Sequence, residues 1–297
     1  MSINIVHIGF PKTATTFLQW KVFPNLKGIN FIPYDQCSTI FHPIIYSDPL
    51  DYNLDEIRSR IDKENSRCLY SFESLAGSPF YFKGIGRSNI PQALKDLGFE
   101  KVVITVRKQV KAIDSYYRQY VMQGGTLSFK NWLDFDDERP IPQKYFQRGY
   151  LEYDKLIDMY AEVFGKQNVL LLTQESLKND MSHFIHQITE FTETEFDSPK
   201  ETTKANVSLS NLSIAILRLI NHFTFSSIRP FHLISKRISN RPIWKIFVVV
   251  LDPYLFSLFS NKKSFVKKHD FGERIEAFYS ASNGRLNEEW EIDLNKQ

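Results

Sequence analysis

Four short apolar runs punctuate the first two thirds of the chain: INIVHI (3–8), RCLYSF (67–72), KVVITV (101–106) and NVLLLT (168–173). They are rich in Ile, Val and Leu and do not alternate with polar residues, the pattern of strands covered on both faces. Between them apolar positions recur at helical spacing and predict helices over 16–23, 55–64, 91–97, 111–122 and 153–164. Strand alternating with helix implies an α/β fold with a central, mainly parallel sheet and crossover connections. Ligands of such sheets sit beyond the carboxyl ends of the strands. Those ends carry Lys12, Glu73, Arg107 and the pair Gln174 and Glu175.

The last third has a different character. Residues 204–269 hold eleven Lys/Arg against one acid, Asp252, a balance of +10 in a chain whose total is +3, so the remainder is −7. Nine aromatic residues are interleaved with these cations. One reading is a helical subdomain with a solvated basic face. The other is a surface for an anionic partner such as an acidic glycan, lipid headgroups or nucleic acid. Mixed aromatics and cations also suit a helix lying on an anionic membrane. No nucleic-acid module is recognisable, so nucleic acid is not expected as a partner.

At 297 residues the chain fits one large domain, here read as 1–297 with 204–269 as a helical basic and aromatic insertion. The two cysteines, Cys37 and Cys68, make no disulfide framework and have no CxxC neighbour. No signal peptide is expected, because the first residues already read as a strand. The longest apolar stretch, IWKIFVVVLDPYLFSLF (243–259), is interrupted by Lys245, Asp252 and Pro253. It falls short of the ~20 clean residues of a membrane span. The expectation is a cytoplasmic protein with, at most, peripheral membrane contact.

Candidate chemistry begins at IVHIGFPKTATTFLQ (5–19), a strand, a tight loop and a helix with a lysine in the loop. The P-loop pattern G-x-x-x-x-G-K-[ST] is not met, since Lys12 follows Gly9 by three residues and no second glycine intervenes. The physics of anion binding is present nonetheless. A helix starting near 13–16 aims unpaired N–H groups at the loop, Thr13, Thr15 and Thr16 add hydroxyls, and Lys12 adds a full charge. A plain alternative is a Thr-capped helix with a surface lysine. A second element lies in KVVITVRKQVKAIDSYYRQYVMQGG (101–125), where a strand ends in Arg107 and Ser115 follows eight residues later on a helix. The arginine can grip a phosphate with two prongs, or serve as a structural ion pair.

Together these elements resemble the sulfotransferase family that uses 3′-phosphoadenosine-5′-phosphosulfate (PAPS). Its first signature, P-K-[ST]-G-[ST]-[ST], is matched by PKTATT (11–16), with Ala14 where many members have glycine. Alanine prefers negative φ, so this departure strains a left-handed loop. Its second signature, an arginine at a strand end and a serine eight residues on, is matched by Arg107 and Ser115. RGYLEYDKLIDMYAEVFGKQNVLLLTQESLKND (148–180) is similar to the family's next helix–strand unit, and YSASNGRLNEEWEIDL (279–294) resembles its C-terminal end. The resemblance covers about 1–200 and 275–294 and implies a P-loop-like three-layer α/β fold.

It also implies a reaction. Lys12 and residues Thr13, Ala14, Thr15, Thr16 and Phe17 would hold the 5′-phosphosulfate. Arg107 and Ser115 would hold the 3′-phosphate, and Lys204, in TTKANVS, would reach the nucleotide from a late basic loop. An acceptor hydroxyl or amine would attack sulfur in line, without metal, and leave adenosine-3′,5′-bisphosphate. Glu73 in LYSFESL is the expected base, as in carbohydrate-acting members, which points to a glycan or glycolipid acceptor. His42 in IFHPII, expected in a loop, competes for that role, and His7 is expected to be structural. Two rivals stay open. A P-loop kinase-like phosphotransferase would need a Mg²⁺ site with an acid at a strand end, whereas the third predicted strand ends in Arg107. A non-catalytic nucleotide-binding module with an anionic-surface partner would account for residues 204–269.

Overall fold

A computed structural model of the chain describes residues 3–61, 67–80, 83–136, 138–140, 144–197, 209–226, 228, 240–259 and 262–294. The chain divides into two compact units, 1–108 with 149–205 and 279–297, and 109–148 with 206–278.

Among the described residues, seven strands lie in the first unit: β1 (Asn4–Gly9), β2 (Leu26–Lys27), β3 (Asn30–Ile32), β4 (Cys68–Ser71), β5 (Phe99–Val106), β6 (Val169–Thr173) and β7 (Glu195–Phe196). Five of them form a parallel sheet in the order β3-β4-β1-β5-β6, and β2 pairs with β7 antiparallel. All four sequence-derived strands are present within two residues of their expected bounds. β1 and β4 are buried along their whole length, as their unbroken apolar runs require.

One face of the sheet packs Ile5, Leu69, Val103 and Leu172 against Leu18, Val22 and Phe23 from the segment after β1 and against Phe184, Ile185 and Ile188 from the helix Met181–Thr192. Across the sheet's first strands, Phe41 of the helix Tyr34–Tyr46 meets Tyr70 edge-on at 6.2 Å and Phe99 at 5.8 Å. Phe99 sits where the pairing of β1 with β5 slips, between Asn4 and Ile5. The chain leaves β1 toward β3 and leaves β5 toward β6, in opposite directions across the sheet. The crevice between the ends of β1 and β5 is therefore the topological switch point, the usual ligand position in an open α/β sheet.

Two local predictions need correction. The segment expected as one helix over 16–23 is α only at Thr15–Phe17, then a π turn at Leu18–Val22 and a 3₁₀ turn at Phe23–Asn25. His42 is not in a loop but in the helix Tyr34–Tyr46, which runs through Pro43. Proline has no N–H for the carbonyl four residues back and normally breaks a helix. Here the Arg60 guanidinium donates to that carbonyl, Thr39 O, at 2.9 Å.

The second unit is helical in its described residues. Its hub is Arg118 on the helix Gln109–Met122, 6% exposed. Its Nε donates to Asp114 at 3.0 Å, Nη1 to Leu209 O at 2.8 Å, and Nη2 to Asn211 Oδ1 and Lys263 O, both at 2.9 Å. The guanidinium also lies over the Phe265 ring, 4.8 Å from its centroid. Asn221 donates from its amide to Val121 O at 2.7 Å and Gly125 O at 2.9 Å, closing the C-terminal end of the same helix.

Candidate active site

The loop after β1 is held from below by a single directed chain of hydrogen bonds. Thr13 Oγ1 donates to Phe10 O at 2.6 Å, since a carbonyl can only accept. Its oxygen must then accept from Thr105 Oγ1 at 2.8 Å. Thr105 in turn accepts from His7 Nε2 at 3.1 Å, which places the imidazole proton on Nε2. His7 Nδ1 accepts from Ser71 Oγ at 2.8 Å, and Ser71 Oγ accepts from the Gln19 amide at 3.0 Å. The Gln19 nitrogen is identified independently, because it also donates to Ser71 O at 3.2 Å. The chain needs a neutral imidazole, and full burial pushes the His7 pKa down to about 3. His7 is thus the structural residue that the sequence suggested, and its place beneath the loop is new.

Gly9 ends β1 where no side chain fits. A Cβ there would lie 2.3 Å from Thr15 Cγ2 and 2.7 Å from Thr105 Oγ1. Phe10 is fully buried, edge-on to Tyr153 at 4.7 Å and Tyr150 at 5.4 Å. The backbone then turns left-handed at Lys12 (φ 69°) and Ala14 (φ 70°). Ala14 adopts the strained conformation that glycine would take without strain. It heads the helical segment, and its side chain makes no cap bond there.

Three charged groups meet at this loop. Arg107 Nη1 donates to Lys12 O at 3.2 Å, and the Arg107 carbonyl accepts from Tyr153 Oη at 2.8 Å. Glu73, the first residue of the 3₁₀ turn Glu73–Ala76 after β4, accepts from Thr15 Oγ1 at 2.9 Å. Burial pushes the Lys12 ammonium below the usual lysine range, the Glu73 carboxylate pulls it back up, and the Arg107 guanidinium adds to the depression. Lys12, Glu73 and Arg107 are each half-buried. A cation, a carboxylate and a guanidinium at the switch point can hold an anion and accept a proton beside it.

The other sequence candidates fall as follows. Thr13 and Thr15 are buried with their hydroxyls in the bonds above, whereas Thr16 is exposed. Phe17 packs partly against the sheet cluster. His42 is exposed, with its ring edge-on to Tyr46 at 5.2 Å and Phe72 at 5.6 Å. Ser115 lies half-buried in the second unit, midway along the helix Gln109–Met122. Lys204 falls outside the described residues. Glu175 is buried and accepts from the Lys108 backbone N–H at 3.2 Å, a supporting role for the turn after β5.

Two neighbours of Glu73 were not visible in the sequence. Tyr34 stacks on Phe72 at 5.0 Å, and its phenol pKa is raised by burial, then by Glu73 and Tyr46. Tyr46 Oη donates to Ser74 Oγ at 3.4 Å. Positions 34, 42 and 46 share one helical face, a spacing that would have shown had the helix through Pro43 been recognised.

No family model and no curated protein matches the chain. Among solved structures it is similar to the sulfotransferase from Alicyclobacillus acidocaldarius, at 17% identity and a TM-score of 0.51, over 75% of this chain and 93% of that one. Mouse sulfotransferase SULT7A1 complexed with PAP aligns at 13% identity and a TM-score of 0.37, over 93% of this chain and 89% of that one. The sulfotransferase domain from the curacin biosynthetic pathway aligns at 13% identity and a TM-score of 0.40, over 94% and 98%. The last two scores are too low to bear on the fold. The first is not: the parallel sheet with its flanking helices is the fold of a sulfotransferase.

Proposed function

We propose that this protein transfers a sulfuryl group from PAPS to a hydroxyl or amine of a glycan, glycolipid or similar acceptor. The observation that carries this reading is the meeting of Lys12, Glu73 and Arg107 around one left-handed loop at the switch point of a sulfotransferase fold. The loop suits an anion, because successive left-handed turns of this kind form backbone nests and two cations flank it. The donor supplies an activated sulfur whose leaving group is a phosphate, so catalysis reduces to positioning and charge stabilisation.

Each residue then has a task. Lys12 neutralises charge that develops on the departing phosphate oxygens. The N–H groups of residues 13–17, with the Thr16 hydroxyl, hold the 5′-phosphate. Arg107 holds the 3′-phosphate, and Ser115 is the second ligand that the sequence motif expects for it. Glu73 takes the acceptor's proton, and its bond from Thr15 fixes the carboxylate beside the Lys12 ammonium. His42 is the alternative base; its exposed position between aromatic rings favours Glu73.

One observation favours a second reading. A loop threonine bonded to a carboxylate, as Thr15 is to Glu73, is also how phosphotransferases arrange a Mg²⁺ site. Incubation with labelled PAPS and a panel of saccharides, glycolipids and amines separates the two. The expected result is metal-independent label transfer by the wild type, none by Lys12→Met, and a loss of about 10²-fold or more for Glu73→Gln but not for His42→Ala. Label transfer at the wild-type rate by Lys12→Met, or phosphate transfer from ATP–Mg²⁺ in place of sulfate transfer, would overturn the proposal.

A further inference from the structure

Apart from Lys204, the basic segment noted in the sequence is given no task in the proposed sulfuryl transfer, and its described residues lie in the second unit. Its main element runs without a break from Asn240–Ile246, through a π-helical stretch at Phe247–Phe256, to Ser257–Phe259. One side of this helix is committed inside the unit. Phe247 and Asp252, five residues apart as a π turn repeats, are buried. Phe247 packs against Phe256 at 5.8 Å. Asp252 accepts from Ser210 N at 2.8 Å and from Ser213 Oγ at 2.5 Å at the start of the helix Asn211–Ile220.

The rest of the helix presents large apolar side chains to solvent, among them Ile246, Val249, Leu255 and, at its end, Tyr254, Leu258 and Phe259, which are 77%, 74% and 76% exposed. Single exposed apolar residues need no explanation, but a continuous row on one helix does. The exposed charge of the segment itself is of one sign. Asp252 is the one acid in residues 204–269 and it is buried, so no carboxylate of that segment faces solvent. Lys245 sits next to Ile246, and Lys262, Lys263, Lys267 and Lys268 follow Phe259, all of them exposed. The nearest acids in sequence, Asp270 and Glu273, lie beyond these lysines.

Apolar side chains bordered by ammonium groups match the boundary of a bilayer, with apolar chains at the acyl level and charges at the lipid phosphates. Among the described residues no helix is long and apolar enough to cross a membrane. The helix would therefore lie along the surface. We propose that the exposed apolar residues of 246–259 and the lysines at 262–268 dock this protein on an anionic lipid bilayer. The proposal does not depend on the sulfotransferase reading, because vesicle binding is measured without nucleotide or acceptor.

Co-sedimentation of the full chain tests it, using vesicles of phosphatidylcholine with phosphatidylglycerol and vesicles of phosphatidylcholine alone. The wild type is expected to pellet with the anionic vesicles, to stay in solution with the neutral ones, and to be released by high salt. Reversing Lys262, Lys263, Lys267 and Lys268 to Glu, and separately Leu258→Glu with Phe259→Glu, should each weaken anionic-vesicle binding by at least about tenfold. Unchanged melting temperatures show that both variants fold. The proposal is overturned if the wild type fails to pellet, or if either folded variant binds as well as the wild type. It is also overturned if the wild type is a dimer that Leu258→Glu dissociates and that ignores vesicles, since the face would then belong to a second copy.

Discussion

His7 carries no charge in the fold and pays for that position in acid. Its pKa is depressed to about 3 by burial, while an unfolded histidine titrates near 6.5. Below the unfolded value the unfolded chain takes up a proton that the folded chain refuses, so stability is intact above about pH 6.5 and falls as pH drops toward 3. The shift corresponds to about 5 kcal/mol at the acid end. Urea unfolding between pH 7.5 and 4 should show this slope, and His7→Gln should flatten it while lowering stability at pH 7.5. A His7→Gln curve parallel to the wild type would remove the neutral-imidazole account. Ala14 offers the opposite sign. Its φ of 70° strains an alanine, and Ala14→Gly should raise stability by about 0.5–1 kcal/mol in the same assay. Lys12 links structure to pH in a third way. Its depressed pKa means that the ammonium is present below that value and lost above it. Affinity for adenosine-3′,5′-bisphosphate should therefore fall as pH rises, at a lower pH than an ordinary lysine titrates, and the fall should be absent in Lys12→Met.

Elements show what the sequence could and could not disclose. The four long strands were legible because buried parallel strands are written as uninterrupted Ile, Val and Leu runs. The helix Tyr153–Phe164 begins and ends where its apolar spacing does. β3 at three residues and β2 and β7 at two are too short to leave a pattern. The helix Tyr34–Tyr46 was hidden because Pro43 reads as a break, and the arginine that mends it, Arg60, is seventeen residues farther along the chain. Arg118 was equally silent, since its partners come from residues 114, 209, 211 and 263. Because it ties three segments with a planar fork that lysine cannot reproduce, Arg118→Lys should lower the stability of its unit by about 3 kcal/mol. A loss under about 1 kcal/mol in chemical denaturation would show that the other contacts suffice.

For the whole molecule, the α/β class followed from the alternation of patterns, whereas the strand order did not, because hydrogen-bonded neighbours such as β1 and β5 are ninety residues apart. The loop residues were legible as the motif PKTATT, and Arg107 and Glu73 as charged residues at strand ends. The Gln19–Ser71–His7–Thr105–Thr13 chain beneath the loop was not, since it joins four segments that only the sheet brings together. The basic third of the chain was legible as charge, and its exposed apolar row became visible only with burial.

The central claim is that the loop after β1 and the Arg107 strand end grip a doubly phosphorylated adenosine without a metal. Calorimetric titration with adenosine-3′,5′-bisphosphate in the presence of EDTA measures this directly. One site is expected in the wild type, with at least about tenfold weaker binding in both Lys12→Met and Arg107→Ala. No binding in EDTA, or equal affinity in all three proteins, would contradict it.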